Sequence, residues 1–390
     1  MSESIHTLTA TYRITTPMFC SGADQSKAEL RLASFKGALR FWWRSLMWGE
    51  IRDVKKLHER EGKLFGSSEY GQSLIRMRFQ KLDLKTQVSA GQVFGKGRLP
   101  GAHYLGYGVM EAFTEKTGKK AVQLVRPMIP GGIFTVELRF HPCTDKTSIK
   151  DVRRALILLG TIGGLGSKSR KGFGSLTLTK LNLDGKDHPL DIDPADRLKE
   201  LIGTLSEQQP DWSAWSQKAR IVKILPDKKT AIELLDGIGR EQLHYRSWGR
   251  NGKVLDEDRE ENFKPDHDLF KRQSTSIKYP RRVAFGLPHN YGNGDNNAVI
   301  PASQDFDRRA SPLFLHIHKL NDDSEPVGLV VFLPARFLPS NKLRVFGQEV
   351  SFQADTDFWT PIDGYLDRLK GSQGATKKKT GLLGEEVELV

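Results

Sequence analysis

One segment limits the fold more than any other. Ser148–Gly164 (SIKDVRRALILLGTIGG) carries apolar residues at helical spacing and runs directly into GLGSKSRKGFGS, Gly164–Ser175. The alternating stretch GSLTLTKLNL, Gly174–Leu183, follows at once. A helix, a glycine-punctuated turn and a strand in that order fix a local α–β unit. Ser148 stands as the expected N-cap, and the glycines stop the helix. The turn has no side-chain bulk at Gly164, Gly166, Gly172 and Gly174, yet its middle carries Lys168, Arg170 and Lys171.

The segments before it complete a larger pattern. TLTATYRI (Thr7–Ile14) alternates as a strand, and the loop TTPMFCSGADQ follows. ASFKGALRFWWRSLMWGEI places Phe35, Leu39, Trp42 and Leu46 on one helical stripe, with Ser34 as the expected N-cap. SLIRMRFQKLDL (Ser73–Leu84) and GGIFTVELRFHP (Gly131–Pro142) read as strands. The order is β-α-β-β-α-β, the ferredoxin-like arrangement shared with RNA-recognition modules. Lys85–Pro130, Gly-rich and basic, fits no regular element and reads as a long insertion.

A second unit begins at ARIVKIL (Ala219–Leu225), after a charged, partly helical connector. TAIELLDGIGREQLHYRSWG reads as a helix, and GRNGKVLDEDREENFKPDHD as a mobile polar loop. YPRRVAFGLP, SPLFLHIHKL and VGLVVFLPARFL are strand candidates, the last two forming a hairpin around NDDSEP. DFWTPIDGYLDRLKG closes the unit as a helix. The tail SQGATKKKTGLLGEEVELV is expected either to be disordered or to donate a strand to a neighbour. The expectation is an α+β chain of two ferredoxin-like (RRM-like) βαββαβ domains with long loop insertions. Their boundaries fall at 1–186, 187–218 for the connector, and 219–390. The length of 390 residues fits two or three domains.

Sixty Lys+Arg against 47 Asp+Glu give a net charge of +13, which favours polyanionic partners, nucleic acid first. No run approaches the roughly 20 apolar residues that span a bilayer, so no membrane partner is expected. The start MSESIHTLTATYRI shows no secretory pattern. Cys20 and Cys143 lie far apart and give neither a disulfide framework nor a metal-ligand spacing. These features point to a cytoplasmic protein without metal or cofactor.

Three stretches carry candidate nucleic-acid contacts. In the glycine loop, Gly166 and its neighbours free the backbone to form a nest of N–H groups, to which Lys168, Arg170 and Lys171 add charge. The competing reading is a solvated helix-to-strand turn. In the FWWR helix, Lys36, Arg40 and Arg44 recur every four residues beside the apolar stripe, with the Ser34 hydroxyl near the helix start. A solvated face over a core stripe accounts for the same spacing. Trp42 and Trp43 divide between core and an interface with a neighbouring subunit. The third stretch spreads Arg246, Arg250, Arg281, Arg282, Arg308 and Arg309 over loops, with Trp248, Tyr279 and Phe285 interleaved as base-stacking candidates or as plain strand composition.

Catalytic signals are weaker. His316 and His318 alternate on a strand, DEDREE (Asp256–Glu261) collects carboxylates, and Asp24 is acidic in a basic neighbourhood. His103 and His244 have no evident partner.

TPMFCSGADQ, ELRLASFKGALRFWWR, GTIGGLGSKSRKGFGSL, RRVAFGLP and RRASPLFLHI together resemble the RAMP superfamily, the repeat-associated proteins of CRISPR systems. Within it they are most similar to the family of the first-numbered RAMP subunit of the type III-B Cmr effector complex. The resemblance covers discontinuous parts of residues 7–320. It implies two ferredoxin-like domains and a non-catalytic RNA-binding role near the 3′ end of the guide (CRISPR) RNA. The expected partners are that guide, target single-stranded RNA and other RAMP subunits, in antiviral defence. It also implies RNA contacts at Lys36, Arg40, Arg44, Lys168, Arg170 and Lys171. Cys20 and Ser21 depart from the glycines that such a loop usually carries. The alternative is a metal-independent endoribonuclease that processes guide precursors.

Overall fold

The computed structural model describes residues 5–85, 90–94, 99–114, 120–227, 230–271, 277–291, 297–353 and 356–389. The first half runs β1 (Thr7–Ile14), α1 (Leu32–Ile51), α2 (Val54–Phe65), β2 (Ile75–Leu84), α3 (Ala90–Phe94), α4 (Pro100–Leu105), β3 (Met110–Thr114), β4 (Lys120–Leu124), β5 (Gly132–Phe140), α5 (Lys146–Ile162), β6 (Leu176–Leu183) and β7 (Lys186–Asp187). After α6 (Pro194–Leu201) come β8 (Arg220–Ile224), α7 (Ala231–Arg246), β9 (Lys253–Val254), β10 (Glu257–Asp258), α8 (Lys264–Phe270), β11 (His289–Asn290) and β12 (Ala298–Pro301). The chain ends with β13 (Leu313–His318), β14 (Val327–Phe332), β15 (Lys342–Val345), β16 (Gln348–Ser351), α9 (Thr360–Lys370) and β17 (Gly384–Glu386).

The fold is α+β with antiparallel sheets. The first sheet has the order β2-β5-β1-β6-β7 and the second β13-β14-β8-β17. In both, the first strand of the sheet in chain order lies centrally: β1 between β5 and β6, and β8 between β14 and β17. Alternation drives this: Leu8, Ala10, Tyr12 and Ile14 point to one face of β1 and are buried, as are Phe134, Val136 and Leu138 of β5. Tyr12 stacks on Phe134 at 5.4 Å, meets Phe35 of α1 at 5.6 Å, and donates its hydroxyl to the Leu156 carbonyl of α5 at 2.9 Å. That one side chain ties both helices to the sheet.

The structure revises several local expectations. The α5 cap is Asp145, whose carboxylate accepts from Ser148 N at 2.8 Å, so Ser148 lies inside the first turn. Helix α1 starts at Leu32, which puts Ser34 in its first turn and not at its cap. The Lys85–Pro130 insertion holds two short helices and a hairpin, with residues 86–89, 95–98 and 115–119 outside the described set. Asp236 of α7 accepts from the amides of Gly101 and Ala102 at 2.8 and 3.0 Å, docking α4 on the second half. The polar stretch after α7 is ordered as the β9–β10 hairpin and α8. YPRRVAFGLP is a 3-10 turn over Arg281–Phe285, because the buried Asp266 carboxylate accepts from the amides of Arg281 and Arg282 at 2.8 and 2.9 Å. The tail does donate a strand, but to its own sheet: β17 pairs with β8.

The two halves share a packed seam. Phe314 of β13 meets Trp42 at 5.3 Å and Phe41 at 5.8 Å. The candidate interface residues Trp42 and Trp43 are therefore core: Trp42 fills this seam, and Trp43 is fully buried against Phe65 at 5.9 Å. Among the described residues no helix is long and apolar enough to cross a membrane.

Candidate nucleic-acid interface

The glycine loop is held rigidly, and its glycines serve the protein's own packing. Gly166 has φ +85°, and a Cβ there would lie 2.4 Å from the Phe19 carbonyl oxygen. Gly174, at φ +61°, would place one 2.0 Å from the Leu165 oxygen. Ser167 N donates to Phe19 O at 2.7 Å, Gly174 N to Pro17 O at 2.8 Å, and Thr16 Oγ1 to Gly172 O at 2.6 Å. On its other side the loop bridges to β13, where Leu315 N donates to Arg170 O at 3.0 Å. The loop thus threads between the segment after β1 and the second sheet.

Its three cations have different surroundings. Arg170 turns inward, its guanidinium 4.5 Å from the Phe314 ring and 5.3 Å from Phe41, donating to Ser311 O at 2.6 Å. Burial, then the Arg309 charge, pulls its pKa down to about 10. Lys168 is at the loop tip, its pKa lowered by desolvation and by Arg308. Lys171 is drawn down to about 7 by burial and by the charges of Arg246, Lys168 and Arg170. Among the described residues neither lysine has a carboxylate partner.

Three arginines from the second half, Arg246, Arg308 and Arg309, close on the loop. Arg246, at the end of α7, lies 4.4 Å over the Phe285 ring and donates to the Tyr104 hydroxyl at 2.9 Å. His289 donates Nε2–H to the Arg282 carbonyl at 2.9 Å, and burial together with Arg246 and Arg282 holds its pKa at about 3. It is a neutral imidazole among cations. Arg308 and Arg309 complete the group beside Lys168 and Arg170, Arg309 donating to the Arg336 carbonyl at 3.1 Å. Arg282 and Arg308 have carboxylates of their own: Asp266 accepts from Arg282 Nε at 3.2 Å, and Asp307 lies 3.9 Å from Arg308 Nε. Partly desolvated cations without counter-charges are costly alone and favourable once an anion arrives.

Other sequence candidates lie elsewhere or are already occupied. Arg40 and Arg44 both donate to the one carboxylate of Glu61 of α2 at 2.6 Å, so both arginines of the helix ridge are engaged within the protein. Lys36 has no such partner among the described residues, and Ser34 is half-buried beside it. Arg250 is exposed in the β9 turn, and Arg281 faces a separate cleft with Lys278 and Tyr279. Two of the stacking aromatics are engaged: Trp248 contacts His267 at 4.3 Å and Arg259 at 3.8 Å, and Phe285 is buried under Arg246.

Three of the catalytic candidates make internal contacts. His316 is buried, donates Nδ1–H to Gly163 O at 2.9 Å, and has its pKa held at about 3 by burial. Asp24 closes a turn onto Ser26 N and Oγ at 2.9 and 2.6 Å. Glu260 binds Arg368 at 2.6 Å. No group of three or more potential metal ligands occurs among the described residues. Tyr104 sits in no recognisable motif and His289 is one of several scattered histidines in the sequence; only the fold brings them to the loop.

The class of protein follows from this frame. Residues 11–177 match the model of the RAMP superfamily. Beyond the superfamily, the chain is similar to the CRISPR system Cmr subunit Cmr1-2 of Pyrococcus furiosus, 27% identical over 175 residues, 43% of this chain and 91% of that protein. The crystal structure of apo Cmr1 from Pyrococcus furiosus superposes with a TM-score of 0.50 at 19% identity, covering 92% of this chain and 96% of the other. A chain of the cryo-EM structure of the type III-B Cmr-beta bound to cognate target RNA aligns at 11% identity and TM-score 0.49, covering 93% and 99%.

Proposed function

We infer that this chain is a non-catalytic, RNA-holding RAMP subunit of a type III-B CRISPR effector. It comprises two ferredoxin-like domains, 1–186 and 219–390, joined by the 187–218 connector. The repeated strand order of the two sheets supports the domain reading, and similarity to Cmr1 subunits supports the assignment to a complex. Guide and target RNA, with neighbouring RAMP subunits, are its partners near the guide 3′ end.

The observation that carries this reading is the cation seam of Lys168, Lys171, Arg246 and Arg308. It joins the glycine loop to the second half and leaves its lysines without acidic partners. Such a seam holds phosphates without reading bases, so guide–target pairing supplies specificity.

The test is a titration of the full chain with labelled single-stranded RNA over a range of salt. Each of Lys168→Ala and Lys171→Ala should reduce the slope of log affinity against log salt by about one. Unchanged binding in the double variant would overturn the seam assignment. Metal-independent cleavage of a repeat RNA by the purified chain would favour the guide-precursor endoribonuclease.

A further inference from the structure

A second basic cleft lies on the outer side of α5, apart from the glycine loop. Lys150, Arg153 and Arg154 follow one another at i, i+3 and i+4, so one helix face presents all three. The wall opposite is the segment from His188 to α6, which contributes His188, Arg197 and Glu200. The cleft has a volume of about 410 Å³, which suits a nucleotide better than a lone small ion.

Its cations are not all committed. Arg154 is used internally, donating to Glu50 at 2.7 Å and to the Leu201 carbonyl at 2.8 Å. Arg197 is 3% exposed, and its Nη2 caps the carbonyls of Leu190 and Ile192. Among the described residues its buried Nη1 has no hydrogen-bond partner, and neither does the buried Nε of Arg153. Lys150 is exposed and unpaired among the described residues. His188 is kept neutral by burial and by the charges of Arg153 and Arg197, and so adds a polar ring without adding charge. Glu50 is taken by Arg154, and Glu200 of the lining is a nearby negative charge for Arg197 and His188.

Guanidinium forks with free N–H groups in a concave site match the paired oxygens of a phosphate. We propose that this cleft is a second anion site that takes a phosphate group of an RNA strand. The choice of RNA rests on the function proposed above; the anion chemistry does not. The phosphate is either an internal phosphodiester or a strand terminus.

The experiment is a salt-dependent fluorescence titration of the full chain with a labelled single-stranded RNA, with and without a 3′-phosphate. It compares the wild type with Lys150→Glu/Arg153→Glu and with Lys168→Ala/Lys171→Ala. The expected result is that the cleft variant lowers the salt slope by about one to two. Arg153→Lys retains most of that slope. A loss confined to the 3′-phosphorylated strand assigns the site to a terminus, and an equal loss for both strands assigns it to the backbone. If the cleft variant binds both strands as the wild type does while the loop variant is weakened, the cleft inference falls and the seam reading stands. If the cleft variant alone is weakened, the seam reading falls and the cleft stands. Thermal melting controls for folding, and the exposed Lys150→Ala, expected to remove about one unit of slope, decides the matter if the double variant does not fold.

Discussion

Arg170 rests its guanidinium 4.5 Å over the ring of Phe314, so the central cation of a basic loop is a pin between the two halves of the protein. It also donates to the Ser311 carbonyl at 2.6 Å. Truncation removes a cation–π contact and a charged hydrogen bond across the seam, and the two together are worth about 2–4 kcal/mol. Arg170→Ala should lower the thermal midpoint more than Lys168→Ala does, while Lys168→Ala has the larger effect on the salt slope of RNA binding. The reverse ranking would place Arg170 among the RNA contacts.

Gly166 tests whether the loop's glycines serve internal packing. Alanine there faces positive φ and the Phe19 oxygen at 2.4 Å, and backbone strain alone costs about 1–3 kcal/mol. Gly166→Ala should destabilise the chain in urea in the absence of any RNA. A variant as stable as the wild type that has lost only RNA affinity would return this glycine to the ligand.

The FWWR helix ridge gives a compensation test. Glu61 is 4% exposed on its side chain and receives both Arg40 and Arg44. Arg40→Ala/Arg44→Ala leaves that carboxylate buried and unpaired, a loss of about 3–5 kcal/mol. Adding Glu61→Gln should recover much of the stability. Failure of the rescue would show that the arginines contribute mainly by packing.

Lys171 predicts a pH dependence of defined sign. In the free fold it releases its proton above about pH 7, with burial, Arg246, Lys168 and Arg170 as the causes, whereas an unfolded lysine keeps its proton to 10.5. The unfolded state therefore binds more protons across that window, and stability rises with pH through it. A bound phosphate restores the lysine's charge, so RNA binding takes up a proton. Affinity should accordingly fall by up to about tenfold per pH unit just above pH 7. Lys171→Met should flatten both trends, read by titration and by urea melts at pH 6.5 and 8.5.

Trp42→Ala should act on folding before it acts on assembly. The indole fills the seam against Phe314, and such truncations cost about 3–5 kcal/mol. A folded, stable variant that merely failed to join a partner would contradict that placement.

The sequence by itself determined the periodic elements. Alternation in Thr7–Ile14 and helical spacing through Phe35, Leu39, Trp42 and Leu46 follow from local side-chain geometry, which leaves a repeat in the sequence. The basic glycine loop was legible for the same reason. What only the tertiary structure decided is which charges remain available. Arg40 and Arg44 look like a binding ridge until α2 brings Glu61 to them, and RRVAF looks like a strand until Asp266 captures its amides. Lys171, Arg246 and His289 become one site only because β13 carries the loop to the second half. Contacts between residues distant in sequence leave no periodicity to read, and desolvation, which tunes these cations, exists only once the chain has packed.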